Sequence, residues 1–162
     1  MNRTPNAPPS LPVIGWREWV SLPDLDVRSV KAKVDTGART SSLHAFDLRE
    51  IERDGTTFVR FVIHPEQRRS EPEIAAELPL LTRRPVRDSG GRVESRPVVL
   101  TTVELAGQRW SIELTLTRRD AMGFRMLLGR QAIRGRFVVD PGGSFRTGRR
   151  RRKKRHSKKA DR

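Results

Sequence analysis

Between Val27 and Val34 the apolar residues Val30, Ala32 and Val34 alternate with Lys31 and Lys33. A period of two marks a half-buried strand, which Asp35-Thr36-Gly37 ends. Thr57 to His64 is a second, β-branched strand. Val98–Leu105 and Arg109–Thr117 flank Ala106-Gly107-Gln108, with Trp110, Ile112, Leu114 and Leu116 on one face. That arrangement predicts a hairpin with a short glycine-containing turn. Met126-Leu127-Leu128 reads as a short strand ended by Gly129, Arg130 to Arg134 as one helical turn closed by Gly135, and Phe137-Val138-Val139 as a last strand. Two stretches lack a clean pattern. Val13 to Leu25 mixes Trp16 and Trp19 with proline and acid, and is expected to wrap the edge of the core. Pro65 to Pro97, with prolines at 65, 72, 79, 85 and 97, is expected to form a long excursion with a short strand at its end. The expected fold is mostly β, with many short strands, one short helix and no internal repeat.

Composition narrows the setting. A chain of 162 residues supports one domain, and with 35% apolar against 33% charged residues its core must be small. Such a core implies flexible ends or apolar surface covered in an oligomer. No run of eighteen apolar residues is present, so no membrane span is expected. Met1 to Pro12 is polar and proline-rich, without the pattern of a secretory signal. The absence of cysteine excludes disulfides and thiolate metal sites, and a cytoplasmic protein is the simplest expectation. The charge of +15 is uneven: Arg146 to Arg162 holds eleven Lys/Arg against one acid, +10, leaving +5 for Met1 to Phe145. The expected layout is a flexible leader over 1–11, a folded domain over 12–145 and a disordered basic tail over 146–162. Residues Arg149 to Lys159 are a candidate contact for a ribosome or nucleic acid, through counterion release.

Chemistry concentrates at Val34-Asp35-Thr36-Gly37-Ala38. A carboxylate at a strand end, followed by Thr and Gly, can be held by backbone amides in a tight turn. The same triplet could equally be a strand-terminating turn capped by Asp. Two neighbours point to chemistry: the small residues Ala38, Thr40, Ser41 and Ser42 follow, and Leu127-Leu128-Gly129-Arg130 returns ninety residues later. This pair of motifs resembles the retropepsin family of aspartic peptidases. More closely, Lys33 to Ala45, Arg96 to Thr101 and Met126 to Arg130 resemble a bacterial retropepsin-like family often labelled ATP-dependent zinc proteases. Some of its members are encoded beside the ligase that adds glutamates to a ribosomal protein. The similarity spans about residues 13–141. It implies a closed β-barrel and, for a chain with one Asp-Thr-Gly, a homodimer. Two carboxylates 3 Å apart cannot both ionise, so one Asp35 would activate water while its copy stays protonated.

The resemblance assigns Asp35, Thr36 and Gly37 to catalysis and Leu127, Leu128, Gly129 and Arg130 to support of the loop. Substrate contacts are expected from Ala38 and His44, and from Arg92 and Arg96 as forks for an acidic or glutamylated peptide. His44 is otherwise a polar residue at the rim, and Arg92 and Arg96 are otherwise solvated loop charges. One departure stands out: Arg39 occupies a position where viral retropepsins carry an acid, so Arg130 must find another partner. Asp88-Ser89-Gly90 follows no apolar strand and is expected to be a surface turn. Neither H-E-x-x-H nor a phosphate-binding glycine loop is present, so no zinc, ATP or other cofactor is expected. Two rival readings remain: a non-catalytic ribosome- or RNA-binding β module, and a metal hydrolase built on His44 and His64.

Overall fold

A computed structural model describes residues 10–118 and 123–148; most of the expected leader and the Arg149–Lys159 tail lie outside them. Among the described residues there are eleven strands and one α-helical turn. They are β1 (Val13–Leu22), β2 (Val27–Asp35), β3 (Ser41–His44), β4 (Phe46–Arg53), β5 (Thr56–Ile63), β6 (Ile74–Pro79), β7 (Thr82–Arg87), β8 (Val93–Leu105), β9 (Gln108–Thr117), β10 (Met126–Gly129), α1 (Arg130–Ile133) and β11 (Val138–Ser144). The main sheet runs β11-β1-β2-β10-β3-β9-β8-β7, and Ser21 on β1 also pairs with Glu104 on β8. That extra pairing closes β1, β2, β10, β3, β9 and β8 into a barrel, as expected. Closure leaves those six strands without an open edge, where unpaired amides would invite foreign strands.

The interior follows from alternation. Val30, Ala32 and Val34 of β2 meet Leu43, Leu114, Leu116, Met126 and Leu128, all nearly or fully buried. Each of the Val, Leu and Met side chains contributes roughly 1.5–3 kcal/mol on leaving water. A second sheet, β4-β5-β6, adds Val59, Phe61 and Ile63 to the same core. Two tight turns rest on left-handed backbone. Ala106 and Gly107 have φ of 53° and 74° and join β8 to β9; Asp54 and Gly55, at 49° and 78°, join β4 to β5. Positive φ at both central residues suits the turn whose twist matches that of the strands.

Two expectations are corrected. Val13 to Leu22 does not wrap the edge: β1 pairs with β2, β11 and β8. Its register shifts at Gly15/Arg17 against β11 and at Val20/Leu22 against β2 break the alternation that would have announced a strand. The stretch from 65 to 97 is also more ordered than expected, since it contains β6, β7 and the first part of β8. Pro85 sits on β7, the edge strand of the sheet, where a missing N–H costs no ladder bond on the open side.

The C-terminal strand is clamped to β1. At Gly15 a Cβ would lie 2.2 Å from the Gly143 carbonyl oxygen, so only glycine allows this approach. Fully buried Glu18 accepts hydrogen bonds from the amides of Gly15 (2.8 Å), Arg146 (3.0 Å) and Thr147 (3.1 Å) and from the Thr147 hydroxyl (2.9 Å). A buried carboxylate needs such donors to offset its lost hydration.

Candidate active site

β2 delivers Asp35 to the end of a buried strand, half-buried itself, with Thr36 and Gly37 exposed beyond it. The turn then closes on the carboxylate. Asp35 Oδ1 accepts from the amides of Gly37 (3.1 Å) and Ala38 (3.2 Å), and the Ala38 amide also faces the Asp35 carbonyl at 3.3 Å. Among the described residues, Oδ2 takes no hydrogen bond. One oxygen is therefore fixed and the other is left for a proton or a water.

Behind the turn stands β10. Gly129 pairs with Asp35 and Leu128 with Val34. A Cβ at Gly129 would lie 2.4 Å from the Thr40 carbonyl carbon and 2.8 Å from the Ser41 amide nitrogen, so the two backbones cross at glycine distance. The Gly129 amide donates to the Ser41 hydroxyl at 3.0 Å. Helix α1 begins immediately, its first amides donating to the loop: Arg130 to the Ala38 carbonyl (2.7 Å) and Gln131 to the Arg39 carbonyl (3.0 Å). The Arg130 guanidinium donates to the Thr36 carbonyl at 2.8 Å. With Arg39 in place of an acid, Arg130 meets a backbone oxygen of the Asp35-Thr36-Gly37 triplet.

The structure thus brings Asp35, Thr36, Gly37, Ala38, Leu128, Gly129 and Arg130 together. Leu127, on the same strand, pairs with Lys33, while His44, Arg92 and Arg96 lie away from that turn. His44, expected at the rim, is buried at the end of β3, its Nδ1 2.8 Å from Arg125 and its ring against Phe46. Phe46 lies between His44 and His64, at 4.4 Å and 4.3 Å from their ring centroids. The two imidazoles flank a phenyl ring, an arrangement unlike a chelate. Arg92 is exposed at the tip of the β7–β8 hairpin. Arg96 sits on β8, 3.4 Å from Glu94. The register Lys33–Leu127–Ser42–Thr115–Val98 places Arg96, two residues from Val98, on the Asp35 side of the barrel wall, four strands away. Asp88-Ser89-Gly90 forms the expected turn of that hairpin.

Sequence reasoning missed Ser41, the acceptor for Gly129, and Arg125, the partner of His44. It also passed over Lys31 and Lys33 as chemistry, although their alternation with Val30, Ala32 and Val34 already put them on the same side of β2 as Asp35. Their half-buried state agrees.

The fold and the turn have counterparts. A family model described as retropepsin-like aspartic endopeptidase RimB matches residues 13–150. The chain is 44% identical over 133 residues to a probable alpha-L-glutamate ligase from Shewanella halifaxensis, a match covering 82% of this chain and 29% of that protein. It is 48% identical over 136 residues to a protein of the same name from Parasynechococcus marenigrum, covering 84% of this chain and 29% of that one. The chain therefore spans under a third of the length of these relatives. A crystal structure of a Legionella pneumophila protein with unknown function superposes with a TM-score of 0.70 at 32% identity, covering 85% of this chain and 99% of that one.

Proposed function

Because the chain belongs to the RimB-like family of retropepsin-like aspartic endopeptidases, we propose that it hydrolyses peptide bonds as a homodimer, with one Asp35 from each subunit. The observation that carries this reading is the Asp35 turn: one carboxylate oxygen held by two amides, the other open, and a frame of Gly129 and Arg130 locking the loop from behind. One such carboxylate supplies half a dyad. A twofold axis beside Asp35 would bring its copy close enough for the pair to share a proton. The ionised member takes a proton from water, and the protonated member donates to the scissile carbonyl. In this reading Thr36, exposed at the turn, braces its copy across that axis.

The substrate we propose is an acidic, glutamate-rich peptide tail. Lys31 and Lys33 share the side of β2 that carries Asp35, and Arg96 stands on the same face of the sheet four strands along. Arg92 and Arg96 would contact carboxylates of a longer substrate, and Ala38 would offer a backbone contact. The relatives named probable alpha-L-glutamate ligases favour the same reading, since glutamate is the residue in their name. The expected setting is the cytoplasm; among the described residues no helix is long and apolar enough to cross a membrane.

The test is incubation of the full chain with peptides ending in oligoglutamate, read by mass spectrometry. Cleavage within or beside the glutamate run is the expected result. Intact peptide, with sedimentation showing monomer alone at micromolar concentration, would overturn the reading. The alternative, a ribosome- or RNA-binding β module, draws on the +10 charge of Arg146 to Arg162. It predicts that Asp35→Asn leaves the main activity untouched.

A further inference from the structure

On the Asp35 side of β2, the barrel carries a row of cations held in place by aromatic rings. The β1–β2 register sets Arg17 opposite Lys33 and Trp19 opposite Lys31. Trp19 stacks on Phe145 with ring centroids 5.4 Å apart. The Arg17 guanidinium lies 4.9 Å from the Phe145 ring and 4.7 Å from the Trp16 ring. Trp16 meets Phe124 edge-on at 6.0 Å, and the Lys31 ammonium stands 5.4 Å from the Phe124 ring. A ring face attracts a cation through its quadrupole yet carries no net charge. The ladder therefore fixes Arg17 and Lys31 without neutralising them.

Arg68 completes the group, lining with Trp16, Arg17, Lys31 and Phe124 a cleft of about 460 Å³. The Lys31 ammonium is held below its ordinary range, first by burial and then by the like charges of Arg17 and Arg68. The acid in the adjoining cleft, Glu66, is 3.6 Å from Arg69. Three cations thus converge on one opening at an electrostatic cost that a bound anion would relieve.

We propose that this cleft is a specificity subsite that takes an acidic side chain of the peptide substrate, an assignment that rests on the peptidase reading above. Lys31 lies four residues before Asp35, which at the rise of a strand is about 13 Å. An extended peptide covers that distance in about four residues, so the acid read here is about four positions from the scissile bond. A peptide fits better than a nucleic acid, because the rings on which bases would stack are engaged by Arg17, Lys31 and one another.

The test uses the full chain carrying Asp35→Asn, so that bound peptide is not cut, and adds Lys31→Met or Arg68→Gln. Methionine keeps an unbranched side chain at position 31 on β2, and Arg68 sits in a loop, so the two variants perturb folding by different routes. Binding of labelled oligoglutamate, oligoglutamine and single-stranded oligothymidylate is read by fluorescence anisotropy. The basic tail is common to all proteins and cancels in the ratios. Each variant is expected to weaken oligoglutamate binding about tenfold, with a much smaller change for the oligonucleotide. Oligoglutamate affinity within twofold of the parent in both variants would overturn the subsite. Equal losses for both polyanions would overturn it too, in favour of a nucleic-acid surface. In the cleaving wild type, Lys31→Met should raise KM for a peptide with its acid four positions from the bond and leave kcat unchanged. If the wild type cuts no peptide while the binding losses stand, the peptidase reading fails and the acidic-peptide site survives it.

Discussion

Two Asp-x-Gly triplets stand at strand ends of the main sheet, Asp35-Thr36-Gly37 and Asp88-Ser89-Gly90, and in each the aspartate Oδ1 accepts from a backbone amide. Asp35 Oδ1 takes the amides of Gly37 and Ala38 at 3.1 and 3.2 Å; Asp88 Oδ1 takes the amide of Arg92 at 2.9 Å. What differs is the frame. The first turn is closed from behind by a strand crossing at glycine distance, by two helix amides and by the Arg130 guanidinium. Around the second, a Cβ at Gly90 would meet nothing nearer than Asp88 Oδ1 at 3.3 Å, and its partners are those of a hairpin tip. An Asp-x-Gly turn becomes a candidate dyad through the chain packed behind it, more than through its own three residues.

The contrast can be broken most decisively at the carboxylates. Asp35→Asn should lower peptide cleavage about a thousandfold or more, because an amide cannot take the proton from water. Asp88→Asn keeps its acceptor oxygen and should leave the rate within twofold of wild type. Both are read in one assay, and comparable losses would put the two triplets on an equal footing.

The frames are compared next. Gly129→Ala drives a methyl into the Thr40–Ser41 backbone and should cost about 3 kcal/mol, lowering the melting temperature by roughly 6–12 °C. Gly90→Ala, whose methyl would meet only the Asp88 carboxylate oxygen at 3.3 Å, should stay within about 0.5 kcal/mol. Denaturant or thermal melts of both variants check the difference. The smallest effect is expected at Arg130. Removing its charged hydrogen bond to the Thr36 carbonyl by Arg130→Met should lower kcat severalfold and stability by about 1 kcal/mol or less, since the side chain is exposed. Loss of the whole fold in Arg130→Met would mean that the residue carries the barrel as well as the loop.

Much of this was legible in the chain. β2, β5, the β8–β9 hairpin, β10 and α1 follow from alternation, β-branched runs and glycine stops, because each lies in a regular ladder with one buried face. Asp54-Gly55 is an equally readable hairpin signal. β1 escaped because two register shifts scramble its alternation. β6 and β7 escaped because prolines argue against strands, an argument that weakens at a sheet edge. At the site, Asp35 and Gly129 were readable since the motif itself carries them. The burial of His44 was not, because it depends on Arg125 arriving from 81 residues along the chain and on how Phe46 folds against the ring. The partner of Arg130 was equally hidden, since a backbone carbonyl leaves no trace in side-chain sequence.

The clamp at Glu18 has a mechanical meaning. Whatever is pulled beyond residue 148 is tethered at Arg146 and Thr147, whose amides end on a carboxylate inside the barrel. Behind them, β11 lies parallel to β1, with Val13 opposite Val138 and Ile14 opposite Val139. Tension along β11 therefore loads these bonds in shear, many at once, so they resist together instead of unzipping one by one. A cargo or surface holding the chain by its basic end could tug on it without prying open the wall that carries Asp35.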